Sequence, residues 1–146
     1  MFKSSINPFN YIDGTEEPQI PINLGYLYKN IDGVIVETDV PNGVYDVVIV
    51  DVKMGTSLIN EPQFIWTLRI NMGKYHGHVI TRYDSLYHSP ESAKLCRDDL
   101  YRCGYTVENF DLLSDQGYCD QLLGIRLWIL LISKGASKIY YIVRKL

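Results

Sequence analysis

Only one stretch of this 146-residue chain carries a sustained helical period, and it stands between two blocks patterned as strands. Ser89-Pro90 marks its start, because proline at the first helical position sacrifices no hydrogen bond and Glu91 suits the positive end of the helix dipole. Ala93, Cys96, Leu100 and Cys103 follow at spacings of three and four, one apolar stripe, and Gly104 supplies the stop. The other regular segments are strand-sized.

Pro41-Asn42-Gly43 turns into Val44 to Val52, a β-branched run apolar on both faces, as a long strand buried on one side and partly covered on the other would be. Phe64 to Ile70 alternates with period two. Phe64, Trp66, Leu68 and Ile70 share the face expected to be core, with Trp66 open to a second reading as a stacking platform. Asn71 to Gly77 is a hairpin turn, and His78 to Asp84 returns as a third strand. Beyond the helix, a loop with Asn109, Asp111 and Gly117 leaves room for a short helical turn around Ser114 to Leu122. Gly124 to Ile132 and Lys138 to Arg144 then form a second hairpin. Three strands, a helix and two strands predict an all-β fold with one helix: a five-stranded Greek-key OB-fold barrel, the helix between strands three and four.

The first 40 residues, with Pro8, Pro18 and Pro21, read as an irregular N-terminal extension in which Val34-Ile35-Val36 can add one short strand. The expected division is an acidic arm over 1–40 and a compact domain over 41–146. Charge follows this division. The net is −3, but residues 1–40 carry two cations against six anions and residues 90–120 three against seven, a net of −4 each. The remainder, which is the strand-rich part, carries nine cations against four anions, a net of +5. Lysines that guard strand edges would give the same bias.

No apolar run is long enough to span a bilayer, and the N-terminus lacks the apolar core of a signal peptide, so a cytoplasmic protein without a membrane partner is expected. Three cysteines without tight spacing speak against a disulfide framework. Twelve tyrosines, a ring that tolerates exposure, suit both strands and a stacking surface.

Pro41-Asn42-Gly43-Val44-Tyr45, the Phe64 to Ile70 strand closed by Gly73-Lys74-Tyr75-His76-Gly77, the helix end Asp99-Leu100 to Cys103-Gly104, Leu123-Gly124 and the finish Tyr140-Tyr141-Ile142-Val143 occur in a telling order. Over 41–146 the sequence resembles a family of small phage-encoded OB-fold proteins that bind single-stranded DNA in replication and recombination. The resemblance implies non-enzymatic binding of single-stranded DNA in the host cytoplasm, with replication or recombination proteins as partners and self-association left open. It ends Val143-Arg144-Lys145-Leu146, basic where many single-strand binders end in an acidic tail.

Gripping an unpaired strand takes a cationic groove for the backbone and rings for the bases, about 1 to 3 kcal/mol per stacked base. In an OB barrel that surface comprises strands two and three and the loops joining strands one to two and four to five. The residues expected there are Lys53, Arg69 and Arg82, Lys74 and Tyr75 at the hairpin tip, Lys134 and Lys138 around the last turn, and Tyr140 and Arg144 on one face of the last strand. No catalytic residue, metal site or cofactor is expected. Asp51-Val52-Lys53 has the end of a metal-dependent nuclease motif, but the upstream carboxylates on offer, Asp46 and Asp39, come in a strand order that does not suit a nuclease core. His76 and His78, with His88 or a cysteine, lack the spacing of a structural zinc site. The rival is an OB-like docking module, its acidic arm with Tyr11, Tyr26 and Tyr28 meeting a partner protein or covering the basic groove.

Overall fold

The computed structural model of the chain describes residues 33–146. Residues 1–32, including Tyr11, Tyr26 and Tyr28 of the arm, lie outside the described residues. The strands are β1 (Val34–Glu37), β2 (Gly43–Thr56), β3 (Pro62–Ile70), β4 (Val79–Ser85), β5 (Arg126–Lys134) and β6 (Ser137–Lys145). Between β4 and β5 stand helix α1 (Pro90–Arg102), a 3₁₀ turn (Phe110–Ser114) and the five-residue helix α2 (Gln116–Asp120).

Six strands close the barrel, where five were expected, in the order β1-β4-β3-β2-β5-β6 with every pairing antiparallel. The sixth is β1, the short strand read into the N-terminal extension. It is antiparallel to both β4 and β6, which therefore run parallel to each other, and it supplies hydrogen-bonding partners to both. The barrel thus takes in Val34–Glu37, on the arm side of the boundary drawn at residue 40.

The long strand β2 serves two neighbours because it bends. Its N-terminal part pairs with β5 and most of its length with β3, and the register shifts by one residue at Val50. A second shift at Val143 turns the end of β6. Phe64, Trp66, Leu68 and Ile70 are fully buried, as the period of two predicts, so Trp66 belongs to the core. Helix α1 begins where Ser89 Oγ accepts the Ser92 backbone N–H at 3.1 Å, and the chain leaves it through Cys103 into Gly104 at φ +100°. Its buried side carries Leu95, Cys96, Asp99 and Leu100, with Cys103 just beyond its end, and Ala93 is only partly covered. An aspartate lies on the apolar stripe.

That aspartate explains the barrel interior. Arg82 is fully buried. Its Nε stands 2.9 Å from Asp84 Oδ1, and its second terminal nitrogen reaches Asp84 Oδ2 at 3.0 Å and Asp99 Oδ2 at 2.8 Å. The remaining nitrogen donates to the Tyr140 carbonyl at 3.1 Å, while the guanidinium lies 4.2 Å from the Tyr140 ring centroid and 5.2 Å from that of Trp66. Trp66 Nε1 also donates to Asp84 Oδ2 at 3.0 Å, and Arg102 holds the other oxygen of Asp99 at 2.9 Å. Two carboxylates, a carbonyl and two ring faces compensate one desolvated cation and join α1 to β4 and β6.

Candidate nucleic-acid interface

Of the nine residues expected on a binding surface, Arg82 and Tyr140 are corrected by this interior cluster: both are fully buried and face the barrel core. On β4 the charged set, Ile80, Arg82 and Asp84, points inward because Asp99 is there to meet Arg82, and Val79, Thr81 and Tyr83 point outward. Tyr140 and Arg144 do not share a face either. The register shift at Val143 sets Tyr140 opposite Leu131 and Arg144 opposite Trp128, and Arg144 is exposed.

Lys53 and Arg69 do share one. In antiparallel register, directly paired residues project from the same side of a sheet. Lys53 pairs with Ile65, Ile65 with Tyr83 and Tyr83 with Ile35, one rung across β2, β3, β4 and β1. Asp51, Thr67, Thr81 and Glu37 form the next rung, and Val48, Arg69 and Val79 the third. This outward face is open to solvent, with Ile35 50% and Val79 48% exposed and Lys53, Arg69 and Glu37 exposed as well. The Ile65 side chain lies across Gly55, where an added Cβ would stand 2.7 Å from Ile65 Cδ1 and force that methyl aside.

Tyr83, which is not among the nine residues expected on a binding surface, supplies a ring to this face. Its hydroxyl donates to Glu37 Oε1 at 3.0 Å across the β4 and β1 pair. Burial and that carboxylate push the phenol up, so it remains protonated and a donor. The signal was the alternation of β4 itself, in which Val79, Thr81 and Tyr83 form the set opposite Arg82.

The other candidates sit at the ends of the barrel. Lys74 lies on the β3–β4 hairpin with Nζ 5.6 Å from the Tyr75 ring centroid. Tyr75 meets Tyr45 and His78 edge to face at 6.3 and 5.6 Å. Tyr45 in turn donates to the Pro41 carbonyl at 2.6 Å, and burial pushes its phenol up to about 12. The hairpin follows directly on Arg69, so Lys74 extends the Arg69 end of the face. Lys134 and Lys138 flank the β5–β6 turn, half-buried, and Lys138 Nζ donates to the Val40 carbonyl, which ties the last strand to the segment after β1. The expected track therefore divides: Lys53, Arg69 and Lys74 border one sheet face, Lys134 and Lys138 cluster at the β5–β6 turn, and Arg144 stands apart.

The β2–β3 loop is tightly made. Ser57 N–H donates to the Glu61 carbonyl at 2.8 Å and Ser57 Oγ accepts the Glu61 N–H at 3.1 Å, with Asn60 in the left-handed region at φ 64°. Leu58 and Ile59 at its tip are exposed. Among the described residues, no three His, Cys, Asp or Glu side chains gather as a metal site requires, and no helix is long and apolar enough to cross a membrane.

No protein-family model matches this chain, and no curated protein matches it either.

Proposed function

We propose that this protein binds single-stranded DNA on the outward face of β2, β3, β4 and β1, without catalysis, as part of phage-type DNA replication or recombination in the host cytoplasm. The barrel is read as an OB-like Greek key with one strand added. With β1 set aside, the order β4-β3-β2-β5-β6 and the helix between β4 and β5 follow the five-stranded arrangement, whose second and third strands would be β3 and β4. One observation carries the proposal: the rung Lys53, Ile65, Tyr83, Ile35 sets a ring and apolar side chains beside a cation, with Arg69 two rungs away. A base stacks on Tyr83 while the backbone follows Lys53, Arg69 and Lys74. Replication or recombination proteins would be the further partners.

A docking module for another protein is the second reading, and a specific observation favours it. Asp51 and Glu37 occupy the middle rung between the two cations, and Leu58 and Ile59 offer exposed apolar side chains nearby in sequence. Fluorescence anisotropy of a labelled oligothymidine against salt separates the two. Backbone-driven binding weakens by about 0.7 log units per phosphate contact per tenfold rise in salt, and apolar docking is nearly indifferent. Saturable, salt-sensitive binding supports the DNA reading; no binding at low salt rejects it.

A further inference from the structure

On the reading that this face binds single-stranded DNA, we infer that the Tyr83–Glu37 pair reads the edge of the stacked base and prefers guanine over thymine. The Tyr83 hydroxyl holds Glu37 Oε1 at 3.0 Å, so the carboxylate is fixed beside the ring on which a base would lie, while its second oxygen has no hydrogen-bond partner among the described residues and the residue is exposed. An ionised carboxylate only accepts hydrogen bonds. Guanine offers two adjacent donors on its Watson–Crick edge, N1–H and the 2-amino group, and so meets a carboxylate with both oxygens. Thymine offers one N–H between two carbonyl oxygens, which face the carboxylate with like partial charge. Adenine and cytosine, with an amino donor next to a ring acceptor, fall between.

The neighbouring rung works in the same direction. Asp51 and Glu37 bracket Thr67 and Thr81 across four strands, so the middle of the face disfavours phosphate while Lys53, Arg69 and Lys74 stand at its borders. A single strand lying there keeps its backbone at the borders and turns base edges toward the centre. Edge readout by carboxylate then adds discrimination to binding that is otherwise insensitive to sequence.

The test uses the full chain and three short oligothymidines, identical except for a central thymine, guanine or hypoxanthine, the last lacking the 2-amino group. The central guanine should bind about tenfold tighter than thymine, with hypoxanthine between them. Glu37→Gln should abolish that order and leave or raise affinity for plain oligothymidine. Tyr83→Phe, which keeps the ring and frees the carboxylate, should shrink the preference for guanine. Equal or tighter binding of the all-thymine strand by the wild type overturns the inference and leaves DNA binding intact, as does a guanine preference that survives Glu37→Gln. Failure of every oligonucleotide to bind overturns the underlying reading as well.

Discussion

Arg82 on β4 and Asp99 on α1 meet inside the closed barrel, nitrogen to oxygen at 2.8 Å, with neither side chain reaching solvent. The contact spans the end of the sheet and the helix that follows it. It makes the position of α1 depend on a charge pair as well as on Leu95, Cys96 and Leu100.

Removing the cation is therefore expected to be severe. Arg82→Met leaves Asp84 and Asp99 buried without their partner and should lower the unfolding free energy by roughly 3 to 5 kcal/mol in a urea titration. Arg82→Lys should rescue little, because one ammonium cannot reproduce the two-pronged contact with Asp84 together with those to Asp99 and the Tyr140 carbonyl. A stable lysine variant would show that the cluster contributes less than its burial implies.

The same cluster gives stability a pH dependence. Burial pushes the Asp99 carboxyl up to about 6 from its ordinary 3.8, against the opposing pull of Arg82 and Arg102. A raised carboxyl keeps its proton in the folded state where the unfolded chain has lost it. Its contribution is thus full below the unfolded value and declines as pH rises through about 6. Relative to Asp99→Asn, the wild type should lose on the order of 2 to 3 kcal/mol between about pH 4 and pH 7. A difference between the two proteins that is flat with pH would rule this out.

How much of this was legible in the sequence depended on the kind of pattern. The Phe64 to Ile70 alternation, the helix start at Ser89 and the second hairpin are local signals, and they correspond to β3, α1 and the β5–β6 pair. The facing of β4 was not local. Its two sets, Ile80, Arg82, Asp84 and Val79, Thr81, Tyr83, reverse the usual expectation that charge points outward, and what decides between them is Asp99, fifteen residues past Asp84 on another element. An acid three residues after Cys96 and four before Cys103, on the apolar stripe, was the available clue. The face shared by Tyr140 and Arg144 failed for a different reason: a one-residue register shift depends on pairing with β5 and leaves no mark in the alternation of β6. β1 was visible as a short strand but not as a member of the barrel, because its partners lie 44 or more residues away.

The thiols should be inert in the folded protein. Cys96, Cys103 and Cys119 are all buried, and burial pushes Cys103 up to about 12, Cys119 to about 11 and Cys96 higher than its ordinary range. A thiol reagent at about pH 8 should label none of them before unfolding and all three in denaturant. Fast labelling in the native state would contradict this packing.

Tryptophan emission should respond little to an oligonucleotide. Trp66 lies in the core and Trp128 is 5% exposed, so neither can stack with a base. Strong quenching on titration with oligothymidine would place a binding site where neither ring is accessible in this fold.

Charge removal should separate the candidate cations. Lys53→Ala and Arg69→Ala should each reduce the salt slope of binding by about 0.7, one backbone contact apiece, and Arg144→Ala should leave it unchanged. An Arg144 effect equal to that of Arg69 would move the interface to the β5–β6 side.

The most direct measurement is the footprint of an oligothymidine on the backbone amides, followed by NMR. Perturbations are expected along Lys53, Ile65, Thr67, Arg69, Thr81, Tyr83 and Ile35, with saturation at one set of concentrations. A footprint centred on Trp128 and Arg144, or shifts scattered over the barrel without saturation, would contradict binding on the outward face of β2, β3, β4 and β1.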